Sequence, residues 1–556
     1  MPNGSEFIVD FLLRQGVRTV FGYPGAPLLE LYEAIRKNNE SGDEKLNHIL
    51  VRHEQGAAFA ACGYARATGF PGVCIATSGP GAINLATGIA DADLDSVPML
   101  IITGQVGVAE IGRDAFQEAD IMGITIPITK HNYLVKKPEL LAPTLEEAWR
   151  VLSTGRKGPV LVDISHDVLS AEITDRRETL GRHGDILPRI RENGIPLSVQ
   201  LPKIAAQLAH AYRPLILAGG GVVSGEASAE LSRFAAKYSI PVAVTLPGMG
   251  LILDRKVNML GLTGRFGTPA ANAAMDQCDI VIACGTRFSD RTVADFDRFS
   301  RSHFIIHCDI DYAEISKNVK ADLAVVSDAR EFFGALSECE IEYDPAARES
   351  WNEQLRAIKQ KAKAPAEEPE SRLSCAEVLR ALDVVGCERR DCVYIADVGT
   401  HQMTAAQRLM PIFERGFITS GGLGAMGFGL PVACGASIAL SEREMPGDPR
   451  QIVLICGDGG FQMTAQELST LNHAPMPVKI FIMDNRSLGM ISEYQKSRFV
   501  GNVFESELIN PDFVGIGRAY GIESRSIDVS KRASLLEEIR DILSFPDHML
   551  VRFDID

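Results

Sequence analysis

The sequence predicts an α/β protein of three doubly wound parallel-sheet domains. Three observations carry this expectation. Short, wholly apolar segments alternate with amphipathic helical ones, the rhythm of a parallel sheet covered on both faces. That rhythm occurs in three blocks, divided by two charged, irregular stretches. The length of 556 residues suits three domains, at ~100–200 residues each.

The first block, 1–172, opens with an amphipathic helix at Glu6–Gln15. An apolar strand at Val17–Phe21 runs into the turn Gly22-Tyr23-Pro24-Gly25, and a helix is expected from Pro27 to Arg36. The rhythm repeats as helix Gln55–Thr68, strand Gly72–Thr77, loop Ser78-Gly79-Pro80-Gly81 and a helix to Asp91. Further strands are expected at Met99–Thr103 and Val160–Ile164. Residues 174–195 are charged and read as a linker. The second block, 190–340, has strands at Leu215–Ala218, Val242–Thr245, Ile280–Cys284 and Phe304–Asp309. Residues 340–372 read as a helix plus linker. The third block, 370–556, has strands at Val393–Ala396, Ile452–Cys456, Val478–Met483 and His548–Phe553. No short-period repeat is visible, which argues against solenoids and propellers.

Composition narrows the function. Hydrophobic residues make up 46% and charged residues 23%, a globular balance that excludes long disorder. The net charge of −16 disfavours nucleic acid and anionic membranes as partners. It leaves room for small anionic substrates held by a local positive site. Eleven scattered cysteines contain no C-x-x-C, so neither zinc spacing nor a disulfide framework is expected, and a cytoplasmic location fits. The N-terminus lacks a basic region followed by an apolar one, so no signal peptide is read. Residues 416–441 carry no charge, but seven of them are glycine. Each glycine costs a helix ~1 kcal/mol, so a buried loop plus helix is expected rather than a membrane span.

The most specific motif is Gly457-Asp458-Gly459-Gly460, with Asn485 27 residues after Asp458. Each follows an apolar strand, and ligands bind beyond the carboxyl ends of parallel strands. Asp and Asn offer hard oxygen ligands suited to Mg²⁺. Glycines let backbone approach a phosphate, and the next helix presents its N-terminus. A Mg²⁺-diphosphate site is the reading.

With that motif in place, the chain resembles the thiamine-diphosphate-dependent enzymes, and among them the catalytic subunits of acetohydroxyacid synthases. The resemblance rests on Arg52-His53-Glu54-Gln55-Gly56, Thr77-Ser78-Gly79-Pro80-Gly81, Asp114-Ala115-Phe116-Gln117-Glu118, Thr129-Lys130-His131-Asn132-Tyr133, Gly219-Gly220-Gly221, His401-Gln402-Met403 and the run Gly421–Pro431. It implies the three-domain fold of thiamine-diphosphate decarboxylases and carboligases. It implies that Glu54 hydrogen-bonds the aminopyrimidine N1′ from apolar surroundings, and that Met426 wedges the two cofactor rings into a bent conformer. Phe116 and Gln117 would shape the catalytic pocket, with Lys130 adding positive charge. Gly25, Ala26, Gly399, His401, Gly424, Gly459 and Gly460 would line the cofactor, and Asp458, Asn485 and the carbonyl of Ser487 would hold Mg²⁺. A non-redox FAD is implied on Arg156, Gly219, Gly220, Thr245, Leu246, Gly285, Arg287, Asp309, Ile310 and Asp328. Pyruvate would be the donor, and a homodimer or homotetramer is expected, with a regulatory subunit as a further partner.

Departures from the family pattern bear on the acceptor. Tyr494 stands where the family has tryptophan, four residues after Met490. Gly264-Arg265-Phe266-Gly267 replaces Gly-Met-His-Gly, while Arg291, expected to grip an acceptor carboxylate, is kept. Two readings stay open. The two-carbon unit goes to a second 2-oxo acid, or to another carbonyl such as a keto-sugar nucleotide.

Overall fold

Wholly apolar runs can be buried on both faces only inside a sheet, and here they form the interior strands of three six-stranded parallel sheets. The computed structural model describes residues 2–173, 195–362, 371–443 and 450–556. The first sheet contains β1 (Thr19–Tyr23), β2 (Asn47–Leu50), β3 (Gly72–Ala76), β4 (Met99–Gln105), β5 (His131–Val135) and β6 (Pro159–Ser165), in the order β2-β1-β3-β4-β6-β5. The second contains β7 (Pro214–Ala218), β8 (Val242–Val244), β9 (Met259–Leu262), β10 (Ile280–Cys284), β11 (Phe304–Asp309) and β12 (Leu323–Val326), in the order β12-β11-β10-β7-β8-β9. The third contains β13 (Cys392–Ala396), β14 (Phe417–Thr419), β15 (Gln451–Gly457), β16 (Val478–Asp484), β17 (Glu523–Ile527) and β18 (Met549–Asp554), in the order β14-β13-β15-β16-β18-β17.

All twelve strands expected from the sequence are interior strands, with ends shifted by at most two residues. The six unanticipated strands, β2, β5, β9, β12, β14 and β17, are the six sheet edges. Edge strands are short and mostly carry mixed burial, as in β2 and β17, so they lack the continuous apolar run. The linker expected at 174–195 falls, but for Ile195, outside the described residues. The helix expected near 340–372 is Pro345–Ala362. The uncharged stretch 416–441 is β14, a loop and the start of the Gly429–Arg443 helix. Among the described residues, no helix is long and apolar enough to cross a membrane. All eleven cysteines are free.

The chain divides into two compact units. One comprises the described residues of 1–184, 394–402 and 419–556, and the other those of 185–393 and 403–418. The first unit holds the first sheet and most of the third; the second holds the middle sheet. Inside the first unit the Glu54–Thr68 helix packs on the Gly429–Arg443 helix through small residues. A Cβ on Gly435 would lie 1.9 Å from the Ala60 carbonyl oxygen, and one on Gly63 2.3 Å from that of Val432. Backbones this close leave room for glycine alone, and the contact fixes where the first helix begins.

Candidate active site

Each sheet reverses its winding direction after its first strands, between β1 and β3, β7 and β10, and β13 and β15. The loops leaving the carboxyl ends of such strands open a crevice. Most of the sequence-derived site residues occupy those loops.

Around β1 and β3, Gly25 packs on Thr77, so closely that a Cβ would lie 2.3 Å from the threonine's own. Ala26 starts the next helical turn. Glu54 opens the Glu54–Thr68 helix, whose N-cap His53 accepts through Nδ1 from Gln55 N–H at 3.2 Å. Glu54 Oε2 accepts from Asn84 Nδ2 at 3.0 Å. The Glu54 carboxylate is half-buried, and its charge, added to burial, raises the Tyr32 phenol well above its ordinary range. Beside it, the Thr77 and Ser78 hydroxyls are buried with no hydrogen-bond partner. Gln117 has φ +61°, and its backbone passes where a Cβ on Gly79 would stand, 2.6 Å from the Gln117 carbonyl oxygen. The structure therefore brings Gln117 to the Glu54 loop cluster, while the Phe116 ring is 89% exposed. Lys130 stands apart from the Glu54 loop cluster within the chain. It precedes β5, at the opposite end of the sheet, and its Nζ donates to the carbonyls of Val151 and Thr154. Its long side chain fastens that end of the sheet, which spacing in sequence could not reveal.

Around β13 and β15, Gly457 pairs with Met483 on the neighbouring strand. Asp458 and Asn485 thus leave adjacent strand ends. Asp458 Oδ2 accepts from Asn510 Nδ2 at 2.7 Å, and the same amide reaches Asp484 Oδ1 at 2.7 Å. Burial raises the Asp458 carboxyl, while Asn510 and the Gly459 N–H pull it down. Asn485 Oδ1 accepts from Ser487 N–H at 3.1 Å, which turns the Ser487 backbone toward the loop. Among the described residues, no three His, Cys, Asp or Glu side chains converge on a metal position. One carboxylate, one amide and a carbonyl on these loops could instead offer oxygens of the kind Mg²⁺ takes. His401 is buried against Gly399 and Gly457, with Nε2 unpartnered, and burial lowers its pKa to about 4. The orphaned nitrogen lies by Gly399, near the helix that begins after Gly457, and is open to a diphosphate oxygen once the anion draws a second proton onto the ring.

Met426 stands in the loop before the Gly429–Arg443 helix. Gly424 and Gly427 flank it with φ +72° and +79°, which only glycine adopts freely. Its Cε lies 3.5 Å from the Cβ position of Gly459, alongside Leu488 and Leu508. Met490 and Tyr494 share one face of the Gly489–Arg498 helix, four residues apart. Tyr32, Asn84, Leu488, Leu508 and Asn510 neighbour the candidate residues and were missed by sequence reasoning. Asn510 sits in Asn-Pro-Asp before the Phe513–Ala519 helix, a turn-like signal that gave no hint of an acidic neighbour.

In the second unit, Gly219, Thr245, Gly285 and Ile310 follow β7, β8, β10 and β11, with Gly220 and Leu246 next along their loops and Asp309 ending β11. A Cβ on Gly219 would lie 2.1 Å from the Gly285 carbonyl oxygen. Asp328 caps the Ala329–Glu338 helix and lies 3.3 Å from the Cβ position of Gly225. The Arg287 carbonyl accepts from Asn318 Nδ2 at 3.0 Å. Arg265 N–H donates to the Arg291 carbonyl at 3.1 Å, so these two arginines are neighbours. Arg156 belongs to the first unit, its Nε donating to Ser96 Oγ at 2.9 Å.

Comparison with known proteins agrees with this geometry. Residues 2–124 match the thiamine pyrophosphate enzyme N-terminal TPP binding domain, 201–336 the central domain, and 397–553 the C-terminal TPP binding domain. The chain is 40% identical to an acetolactate synthase isozyme 2 large subunit of Escherichia coli over 94% of its length and 91% of the relative's. The chain belongs to the acetolactate synthase large-subunit family. Other members of this thiamine pyrophosphate enzyme family are similarly near. A probable acetolactate synthase large subunit of Methanocaldococcus jannaschii is 40% identical over 94% of this chain and 87% of its own length. An acetolactate synthase large subunit of Lactococcus lactis is 38% identical over 99% and 92%. The Glu54 helix start falls in the N-terminal segment of the family and the Asp458–Asn485 pair in the C-terminal one.

Proposed function

We propose that this protein forms acetolactate-type products from pyruvate, using thiamine diphosphate held by Mg²⁺. When bound, thiamine diphosphate supplies the carbanion chemistry that decarboxylation of a 2-oxo acid needs. The chain's own residues do the rest. Asp458, Asn485 and the Ser487 carbonyl hold Mg²⁺; His401, Gly459 and Gly460 bind the diphosphate; Gly25, Ala26, Gly399 and Gly424 line the site. Glu54 holds a proton at the aminopyrimidine nitrogen, and Met426 fills the gap between the rings. Gln117 and Phe116 shape the pocket, with Met490 and Tyr494 on the acceptor side. The segments 1–172, 190–340 and 370–556 act as pyrimidine-binding, flavin-binding and diphosphate-binding domains. FAD lies on the strand ends around Gly219, Thr245, Gly285 and Asp309, with Arg287 and Asp328 as further contacts.

The observation that carries this reading is the pairing of orphaned polar atoms with the right chemistry at two strand-end crevices. The Thr77 and Ser78 hydroxyls are orphaned on the loop after β3, where Thr77 and Glu54 meet over Gly81, and His401 Nε2 is orphaned by Gly399. One juxtaposition favours a second acceptor reading. The backbones of Arg265 and Arg291 are hydrogen-bonded, and two arginines starting from neighbouring loops suit a larger, more anionic carbonyl compound. Product analysis with pyruvate alone, pyruvate plus 2-oxobutyrate, and pyruvate plus keto-sugar nucleotides separates them. Acetolactate from pyruvate alone supports the first reading. Ligation confined to a sugar nucleotide supports the second, and absence of CO₂ release sinks both.

A further inference from the structure

The Met426 loop is held from the other side of its unit by a buried charge cluster. Arg66, on the Glu54–Thr68 helix, donates through Nη2 to Asp91 Oδ2 at 2.8 Å and to Asp95 Oδ2 at 2.9 Å. The Asp91 and Asp95 side chains are at most 1% exposed. Two carboxylates share one guanidinium, so the cluster needs further donors, and the loop provides them. Gly421 N–H donates to Asp95 Oδ2 at 2.8 Å. Ser420 Oγ donates to Asp91 Oδ1. That fixes the hydroxyl proton and leaves both lone pairs facing the loop, where Gly424 N–H arrives at 2.9 Å and Ala425 N–H at 3.1 Å. Arg66 also donates through Nη1 to the Thr419 carbonyl at 3.1 Å and lies over the Phe428 ring, 5.3 Å from its centroid. Both ends of the segment 419–428 and its middle are therefore tied to one guanidinium and two aspartates.

We propose that Arg66, Asp91 and Asp95 are positioning residues, acting through Ser420 to hold the backbone of Gly424 and Ala425 so that Met426 stands ready against the cofactor. The proposal rests on the reading of Met426 as the residue between the cofactor rings. Its logic is geometric. Gly424 and Gly427 give the loop freedom that glycine alone would leave unused, and burial of charge makes the tie directional. An aspartate at position 91 can only accept, so Ser420 must donate to it. An asparagine there presents a donor to Arg66 or to Ser420 and breaks the chain at one of the two.

The test uses the full-length protein and the variants Asp91→Asn and Ser420→Ala. Amide hydrogen exchange of 420–428 is measured without cofactor. The Kd for thiamine diphosphate with Mg²⁺ is then measured, followed by the rate of exchange of the cofactor's C2 proton at saturation. In both variants the Gly424 and Ala425 amides should lose at least tenfold protection, and C2 exchange at saturation should slow at least tenfold. Ser420→Ala removes one hydroxyl and leaves the charge cluster whole, so it carries the test if Asp91→Asn does not fold. A merely structural role lowers the melting temperature and leaves C2 exchange at saturation unchanged, and that result overturns the proposal. A wild-type protein that binds the cofactor without C2 exchange overturns the Met426 reading instead.

Discussion

Glu54 shows how much a single residue can carry at this site. It starts a helix, is held by Asn84, and meets Thr77 over Gly81. Glu54→Gln keeps the shape and the acceptor for Asn84 but cannot hold a proton at the aminopyrimidine nitrogen. Acetolactate formation should fall ~10²–10⁴-fold with the melting temperature little changed, as a continuous assay and calorimetry on the same preparation would read. Asp163 offers a second test. Its buried carboxyl accepts from Thr103 Oγ1 at 2.7 Å and Gln105 Nε2 at 3.0 Å, and Gln105 Nε2 also bonds the Ala119 carbonyl beside Gln117. Burial raises the Asp163 pKa to about 6, with Asp120 adding to the rise and the two hydrogen bonds opposing it. A carboxyl whose folded pKa lies above its unfolded value stabilises the protonated folded state. That contribution is full below pH ~4 and is lost as pH rises through about 6. The size is on the order of 3 kcal/mol at ~1.4 kcal/mol per pKa unit. The stability of wild type relative to Asp163→Asn should therefore fall between pH 4 and 7 in denaturant titrations. A difference independent of pH would reject the assignment.

At the scale of elements, the helix pair Glu54–Thr68 and Gly429–Arg443 sets the position of both Glu54 and the Met426 loop. Its glycines stand against backbone, not against flexible side chains. Gly435→Ala places a methyl 1.9 Å from the Ala60 carbonyl oxygen, so the helices must separate. Overpacking of this kind costs ~1–3 kcal/mol or more. Thermal unfolding should drop by several degrees, and thiamine diphosphate affinity should weaken with it. Equal melting temperatures would show that the helices have room to move. The same scale explains which strands were legible. β4, β10, β15 and β16 are apolar almost throughout because both faces are covered. β2 and β17 alternate or expose residues because one side meets solvent, and β14 is only three residues long. Period and composition find the first kind and pass over the second.

At the scale of the whole molecule, Phe116, Phe499, Val500, Phe504 and Ile509 are largely exposed in the first unit. Exposed apolar groups of this size beside a candidate site are the mark of an interface, and a symmetric pair of copies is the simplest closure. Sedimentation velocity at micromolar concentration should show a dimer or tetramer, and Phe499→Glu with Phe504→Glu should shift it toward monomer. An active monomer would refute the interface. The sequence alone singled out Glu54 and His401 only through family motifs, but it determined the three-block α/β order, the twelve interior strands and the Asp458–Asn485 motif. These are written in local chemistry, as apolar runs, glycine turns and hard oxygen ligands. Only the tertiary structure decided which groups meet. Asn510 bridges Asp458 and Asp484, Lys130 fastens onto the Thr154 carbonyl, and Arg66 reaches from one helix to the Met426 loop 353 residues away. A long side chain can turn to any partner within its reach. Its role is set by the burial and charge of neighbours that chain folding brings near, and no spacing along the sequence encodes them.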